Sequence, residues 1–537
     1  MIGLPLSAFL FNPIVLPPYL PQAPRFWGQL RALALGVGLL STVLVQPAAA
    51  LETVKLKLPI LQTSFTLRLS ELASPAALLA GRSDLAELDR ASGGALGRSL
   101  VGLFQTPLPL QSTAVVDQSV AQPLVQQVLL MVSSFGTIDG IDPEQLKPSQ
   151  SSKVLASTLH QLFAKGQPSL LALLQALPGK SVTLDADQAL KVAKRLTDQQ
   201  RRAQQLVASQ PAASVNPSLD KPGPLALRRQ ELVLAVSHRP QPLQLVVLQP
   251  IQGANGKLVV ISHGLWDGPE SFEGWAKHLA SHGYTVVLPR HPGSDSSQQQ
   301  AMLLGQVPPP GPAELLLRPL DVSASLDAIT ARSLKGLEAI SAAQVVVIGH
   351  SWGATTALQL AGAVPSAAGL RSRCQNLDDP ERNLSWVLQC SFLSSADRAA
   401  EPDGRVVAIA AVSPPTRLLF STGSAAGMTA RGLMISGSRD WVVPPDPEAI
   451  APFGPNGNFG HALVLVSGGD HFNLRAAATG DGSPLRGLLL AWVQAAFSPG
   501  AALKPAKGLT PLLPATGWGN ASMPLVNVTS LVGPASN

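Results

Sequence analysis

Gln344-Val345-Val346-Val347-Ile348-Gly349-His350-Ser351-Trp352-Gly353-Ala354-Thr355-Thr356-Ala357-Leu358 is the stretch whose reading decides the fold. Its Val and Ile run reads as a short strand buried on both faces, and the run from Ala354 reads as a helix. Between them, Gly349-His350-Ser351-Trp352-Gly353 forms a sharp strand-to-helix turn. Flanking glycines keep such a turn free of side-chain clashes and force the serine hydroxyl into the open. Chance matches to Gly-x-Ser-x-Gly are common in a chain with 46 glycines, so the strand before and the helix after are what single this one out. The first amides of that helix would also face the place where negative charge develops during acyl transfer.

A serine needs a base to take its proton, and on a turn of this kind the order along the chain is serine, acid, histidine. His461 and His471 both follow a plausible acid. His461 opens a strand-like run, whereas His471 ends it in Ser467-Gly468-Gly469-Asp470-His471-Phe472, beyond the carboxyl end where active-site residues of open α/β sheets gather. His471 is therefore the expected base, and His461 and His350 are read as structural histidines. Gly432-Leu433-Met434-Ile435-Ser436-Gly437-Ser438-Arg439-Asp440 places Asp440 after the preceding strand, as the acid that would orient the imidazole. Asp470 and Asp446 compete with it, while Asp403 precedes its strand at the wrong end. Backbone donors for an oxyanion are expected from Trp352 and from Ser262-His263-Gly264-Leu265-Trp266-Asp267-Gly268, where the Leu265 amide is preferred and Trp266 is the alternative.

Working outward, strand-like runs at 243–248, 258–262, 285–288, 345–348, 406–410, 433–436 and 463–466 alternate with helical stretches. Short Val, Ile and Leu runs bounded by turns suit a mostly parallel sheet flanked by helices, an α/β architecture. Residues 226–498 hold this domain, with an insertion at about 365–404 read as a cap. Residues 51–209 read as a separate α+β module: two alternating runs, 54–58 and 65–69, suggest a hairpin, and helical segments follow. The clearest helix covers 186–208, with Leu190, Val192, Ala193 and Leu196 on its apolar face. Residues 210–225, rich in proline, are expected to link the two parts, and residues 499–537, rich in Pro, Gly and Ala, to form a tail lying over the surface.

With 537 residues, 46% hydrophobic and 13% charged, the chain can bury a large core in two or three domains. A formal charge of +6, scattered and without aromatic interleaving, excludes a nucleic-acid surface. Arg25 and Arg31 precede an apolar run at 32–45 and then Pro47-Ala48-Ala49-Ala50, which reads as an export signal over residues 1–50 cleaved after Ala50. The alternative is an uncleaved N-terminal membrane anchor. An exported chain meets oxidants, so the two cysteines, Cys374 and Cys390, are expected to pair rather than remain free thiols. No spacing suggests a metal site, and no cofactor is implied. The oligomeric state stays open.

The elbow, the His263-Gly264-Leu265 loop, Gly437-Ser438-Arg439-Asp440 and Gly469-Asp470-His471, in that order, resemble the alpha/beta-hydrolase superfamily. The nearest resemblance is to platelet-activating-factor acetylhydrolase-like esterases and predicted dienelactone hydrolases. It implies hydrolysis of a small or lipid-like ester with short acyl groups. Dienelactone hydrolases use a cysteine nucleophile, so Ser351 departs from that pattern. The whole chain also resembles cyanobacterial hydrolases with an N-terminal domain of unknown function, whose insertion is similar to Arg373-Cys374-Gln375 and Leu388-Gln389-Cys390. The insertion is expected to line the acyl or alcohol pocket. Trp266, Trp352 and Trp441 neighbour the site loops and either wall that pocket or only pack against the sheet. His291-Pro292-Gly293-Ser294-Asp295 is expected to shape the rim. Competing readings are acyl transfer or amide hydrolysis on the same three residues, and a non-catalytic envelope binding protein that keeps the fold.

Overall fold

The computed structural model describes residues 51–532 apart from 58–63, 109–112, 134–135, 140–147, 167, 421–426, 455–457 and 477–483. The export signal or anchor expected at residues 1–50, and the turn of the first hairpin, lie outside the described residues. Among those described, no helix is long and apolar enough to cross a membrane.

The first sheet has four strands: β1 (Thr53–Lys57), β2 (Ser64–Arg68), β3 (Gly136–Asp139) and β4 (Ser181–Asp185), in the order β2-β1-β4-β3. β1 and β2 pair antiparallel, as the two alternating runs suggest, and β4 lies parallel to β1. Leu51, Leu69, Leu72, Leu78, Leu85 and Val101 form a small core of their own. Asp185 caps the helix Ala186–Ser209 by accepting the amides of Asp187 and Gln188.

The apolar face expected on that helix is corrected: Leu190 and Val192 are 56% and 41% exposed. Its buried stripe lies further on, at Gln199 and Ala203, with Leu206 and Val207 packed against the core of the larger sheet. The small module is therefore tied to the larger one by the end of its own last helix.

That larger sheet holds β5 (Leu227–Leu234), β6 (Leu243–Pro250), β7 (Leu258–Ser262), β8 (Thr285–Arg290), β9 (Val345–His350), β10 (Val406–Val412), β11 (Arg431–Gly437), β12 (Ala462–Val466) and β13 (Leu525–Asn527). Their order is β13-β12-β11-β10-β9-β7-β8-β6-β5. Strands β8, β7, β9, β10, β11 and β12 run parallel, and β5, β6 and β13 are attached antiparallel. Alternation along β9 shows why its sequence is apolar throughout. Val345 and Val347 enter the core under the helices Glu314–Thr330 and Trp352–Leu360, while Val346 and Ile348 enter the opposite core under Glu273–Ser281 and Arg486–Ala496.

Residues 210–225 and the tail run against each other rather than hanging free. The Ala213 amide donates to Leu525 O (2.8 Å), that of Asn216 to Gly517 O (2.8 Å) and that of Gly519 to Ser214 O (2.8 Å). Trp518 is fully buried, and β13 pairs with β12, so the tail extends the sheet as well as covering its surface.

Candidate active site

Six parallel strands bring their carboxyl ends to one edge, where the loops carrying the singled-out residues meet. Ser351 stands between β9 and the helix Trp352–Leu360 with φ +54°, a left-handed conformation that a non-glycine residue adopts only under constraint. The constraint is visible in its neighbours. A Cβ at Gly349 would lie 2.0 Å from Gly353 O, and one at Gly353 would lie 2.0 Å from Ser262 O, so both positions require glycine. The Ser351 amide is fixed to Val412 O at 2.9 Å.

Asp440 follows β11 and is fully buried. Its Oδ1 accepts the amides of Val442 (3.0 Å) and Val443 (2.8 Å), and its Oδ2 lies 3.0 Å from His471 Nδ1. His471 follows β12 and is 5% exposed. It reaches the serine turn through His350, whose Nε2 donates to His471 O (2.9 Å) and whose ring centroid is 4.7 Å from that of His471. His350 thus holds the histidine loop to the elbow, in addition to packing against Phe272. Burial drives its imidazole well below the usual histidine range. Among the described residues, Ser351 Oγ makes no hydrogen bond in this arrangement.

The loop after β7 covers the serine so closely that a Cβ at Gly264 would lie 3.2 Å from Ser351 Cβ. Trp266 has φ +55°, and its amide already donates to Ser294 O (2.7 Å). Its indole donates to Gln298 Oε1 at 2.9 Å. Trp352 is buried with its ring 4.6 Å from that of Phe392 in the insertion, so its side chain joins the core rather than a pocket wall. Trp441 is half-buried, 6.0 Å from the exposed Phe472 ring, and Phe472 in turn meets His471 edge-on at 5.5 Å.

The competing residues are engaged elsewhere. His461 Nδ1 accepts the Gly432 amide (2.9 Å) at the far end of the sheet. Asp470 shapes its own turn by accepting the amides of Phe472 and Asn473 (2.8 Å each). Asp446 pairs with Arg202, and Asp403 with Arg405. The expected rim segment lies beneath the surface instead: His291 is fully buried between Ser262 and Asp321, and Asp295 caps the helix Ser296–Leu303.

Cys374 and Cys390 form a disulfide with Cα atoms 5.8 Å apart inside the insertion. Two buried groups went unread in the sequence. Glu448 collects the insertion and its neighbours, and Arg318 sits behind the loop after β7. A signal for the second was present, since Glu314, Arg318 and Asp321 recur at helical spacing along the mostly apolar segment Glu314 to Ile329. Among the described residues, no group of three His, Cys, Asp or Glu side chains could hold a metal ion.

A serine in a strained turn after the fifth strand of a mostly parallel sheet, with an acid and a histidine after later strands, defines the alpha/beta hydrolase fold. The family model described as alpha/beta hydrolase fold matches residues 257–388, from the start of β7 through the elbow into the insertion. Among curated proteins, none matches the chain. The fold suggests hydrolase activity.

Proposed function

We propose that this protein is an exported serine hydrolase that cleaves a carboxylic ester through an acyl-enzyme on Ser351. The observation that carries the reading is the Asp440–His471 pair, 3.0 Å apart, delivered to the turn that holds Ser351 at φ +54°. His471 Nε2 takes the hydroxyl proton as Ser351 Oγ attacks the ester carbonyl, and returns it to the departing alcohol. Asp440 keeps the other ring proton on Nδ1 and stabilises the imidazolium. With its own oxygen held by two amides, Asp440 remains an acceptor. Water then attacks the acyl-enzyme by the same proton path.

The developing oxyanion is received by the amides of Leu265 and Trp352. The engagement of the Trp266 amide with Ser294 O favours Leu265 as the donor from that loop. Trp441 and Phe472 supply an apolar face beside His471 that suits a short acyl group or a small alcohol. The Cys374–Cys390 disulfide supports an oxidising compartment outside the cytoplasm.

Intact-mass analysis of the purified chain after exposure to a fluorophosphonate tests this, beside Ser351→Ala and a panel of p-nitrophenyl esters. One adduct per chain, lost in Ser351→Ala together with ester turnover, is the expected result. Folded protein that takes no adduct and turns over no ester would sink the reading and favour a binding role. An adduct accompanied by faster transfer to an added alcohol or amine than to water would favour acyl transfer.

A further inference from the structure

Behind the loop that carries Leu265 lies a group of buried charges that the reaction above does not use. Arg239 pairs with both nearby carboxylates, its Nη1 2.8 Å from Glu314 Oε1 and its Nε 2.7 Å from Asp321 Oδ1. Arg318, only 1% exposed, has no carboxylate among its hydrogen-bond partners in the described residues. Its guanidinium is directed at neutral acceptors on three separate segments. Nη1 donates to Ser294 Oγ (2.7 Å) after β8, and Nη2 to the His263 carbonyl after β7. Longer contacts of 3.4 Å reach Ser262 Oγ and, from Nε, Thr356 Oγ1 on the helix that begins at Trp352. Burial pushes the guanidinium down to about 10, which leaves it charged at neutral pH. Desolvating a cation without a directly bonded anion is costly, so it persists only where the surrounding acceptors fix it.

Each contact bears on a proposed oxyanion donor. The His263 carbonyl is two residues before Leu265. Ser294 O accepts the Trp266 amide, the residue after Leu265, and Ser294 Oγ relays to Glu314 Oε2 at 2.9 Å. His263 Nε2 accepts the His291 amide (3.1 Å), so its ring proton resides on Nδ1 and donates to Gly264 O at 2.7 Å. That carbonyl belongs to the same peptide unit as the Leu265 amide, and a peptide unit is planar. Fixing its oxygen fixes the direction of its N–H.

We infer that Arg318 is a positioning residue: its guanidinium ties the loops after β7 and β8 to the helix that begins at Trp352, and so sets the Leu265 and Trp352 amides at the separation an oxyanion requires. This rests on the ester-hydrolase reading above. Its effect falls on the transition state, because the amides gain full hydrogen bonds only when charge develops on the oxygen.

The test compares wild type with Arg318→Met and Arg318→Lys by kcat, KM, melting temperature and affinity for an aryl boronic acid, which forms a tetrahedral anionic adduct on serine. Arg318→Met is expected to lower kcat by roughly ten- to a hundred-fold with KM changed by less than about threefold, and to weaken the boronic acid by a similar factor. Arg318→Lys, which keeps the charge and fewer donors, is expected to recover part of kcat. Unchanged kcat and boronate affinity in folded Arg318→Met overturn the inference. Should Arg318→Met fail to fold, Ser294→Ala decides: a smaller loss confined to kcat and boronate affinity upholds the inference, and no loss overturns it. Wild type that neither takes the fluorophosphonate nor turns over ester removes the hydrolase reading itself. An active wild type beside an unaffected Arg318→Met removes only this inference.

Discussion

Asp440 divides its two oxygens between different tasks, one for its own turn and one for His471. Asp440→Asn separates them. The side-chain oxygen can still accept the Val442 and Val443 amides, so the turn and the fold persist. The new NH2 group faces His471 Nδ1 and imposes the tautomer with the proton on Nε2, the wrong atom for a base. We expect kcat to fall by about three to four orders of magnitude with little change in melting temperature. A kcat within tenfold of wild type would remove Asp440 from the reaction. At this scale, what the sequence announces is local. Gly349 and Gly353 stand two residues either side of Ser351, and His471 lies in the short loop after a strand that ends at Val466. The partners of Arg318 lie 24 to 56 residues away along the chain, and only folding brings them together.

Between elements, one buried carboxylate gathers three side chains of the insertion and two backbone amides outside it. Glu448 accepts Asn383 Nδ2 (3.0 Å), Ser385 Oγ (2.7 Å) and Gln389 Nε2 (3.0 Å) from the insertion, and the amides of Thr416 (2.8 Å) and Arg417 (2.9 Å) from the segment after β10. Glu448→Ala leaves these donors without an acceptor in a dry site, and we expect it to destabilise the protein by at least about 3 kcal/mol in chemical denaturation. An unchanged midpoint would show that the insertion is held by other contacts. Elements differ in how readily they are read. β7 and β9 are buried on both faces and spell this as unbroken Val and Ile runs. β5, at the edge, alternates half-buried and exposed residues and carries Arg228, Arg229 and Glu231, so nothing in its composition marks a strand. β13 is three residues long, too short for any periodicity. The helix Ala186–Ser209 was legible as a helix, but its buried side was not, because Ala203 is small and owes its burial to a distant core.

For the molecule as a whole, the buried histidines set a direction for its response to acid. Desolvation pushes His278 down to about 4 and holds His263, His291 and His350 well below the ordinary histidine value. The unfolded chain binds protons at these residues near pH 6.5 while the folded chain does not. Stability is therefore complete above that pH and is lost as pH falls through the window toward the folded values. Each such histidine contributes a slope of up to about 1.4 kcal/mol per pH unit. Denaturant midpoints measured from pH 7.5 to 4.5 should decline steadily from about pH 6.5, before most carboxylates begin to protonate. A flat profile down to pH 5 would mean that these imidazoles accept protons in place.

The junction between residues 210–225 and the tail matters for the order in which the chain can be completed. β12 needs β13 on its outer side, yet the two are separated along the chain by the helix Arg486–Ala496 and the stretch that buries Trp518. A chain that has emerged from its N-terminus through His471 carries all three proposed reacting groups, but not the strand that closes the sheet beside them. Until Leu525–Asn527 emerge, β12 presents open backbone to any passing chain. In that interval the chemistry is already encoded while one strand edge stands unpaired, so masking that single edge would guard the incomplete chain against mispairing.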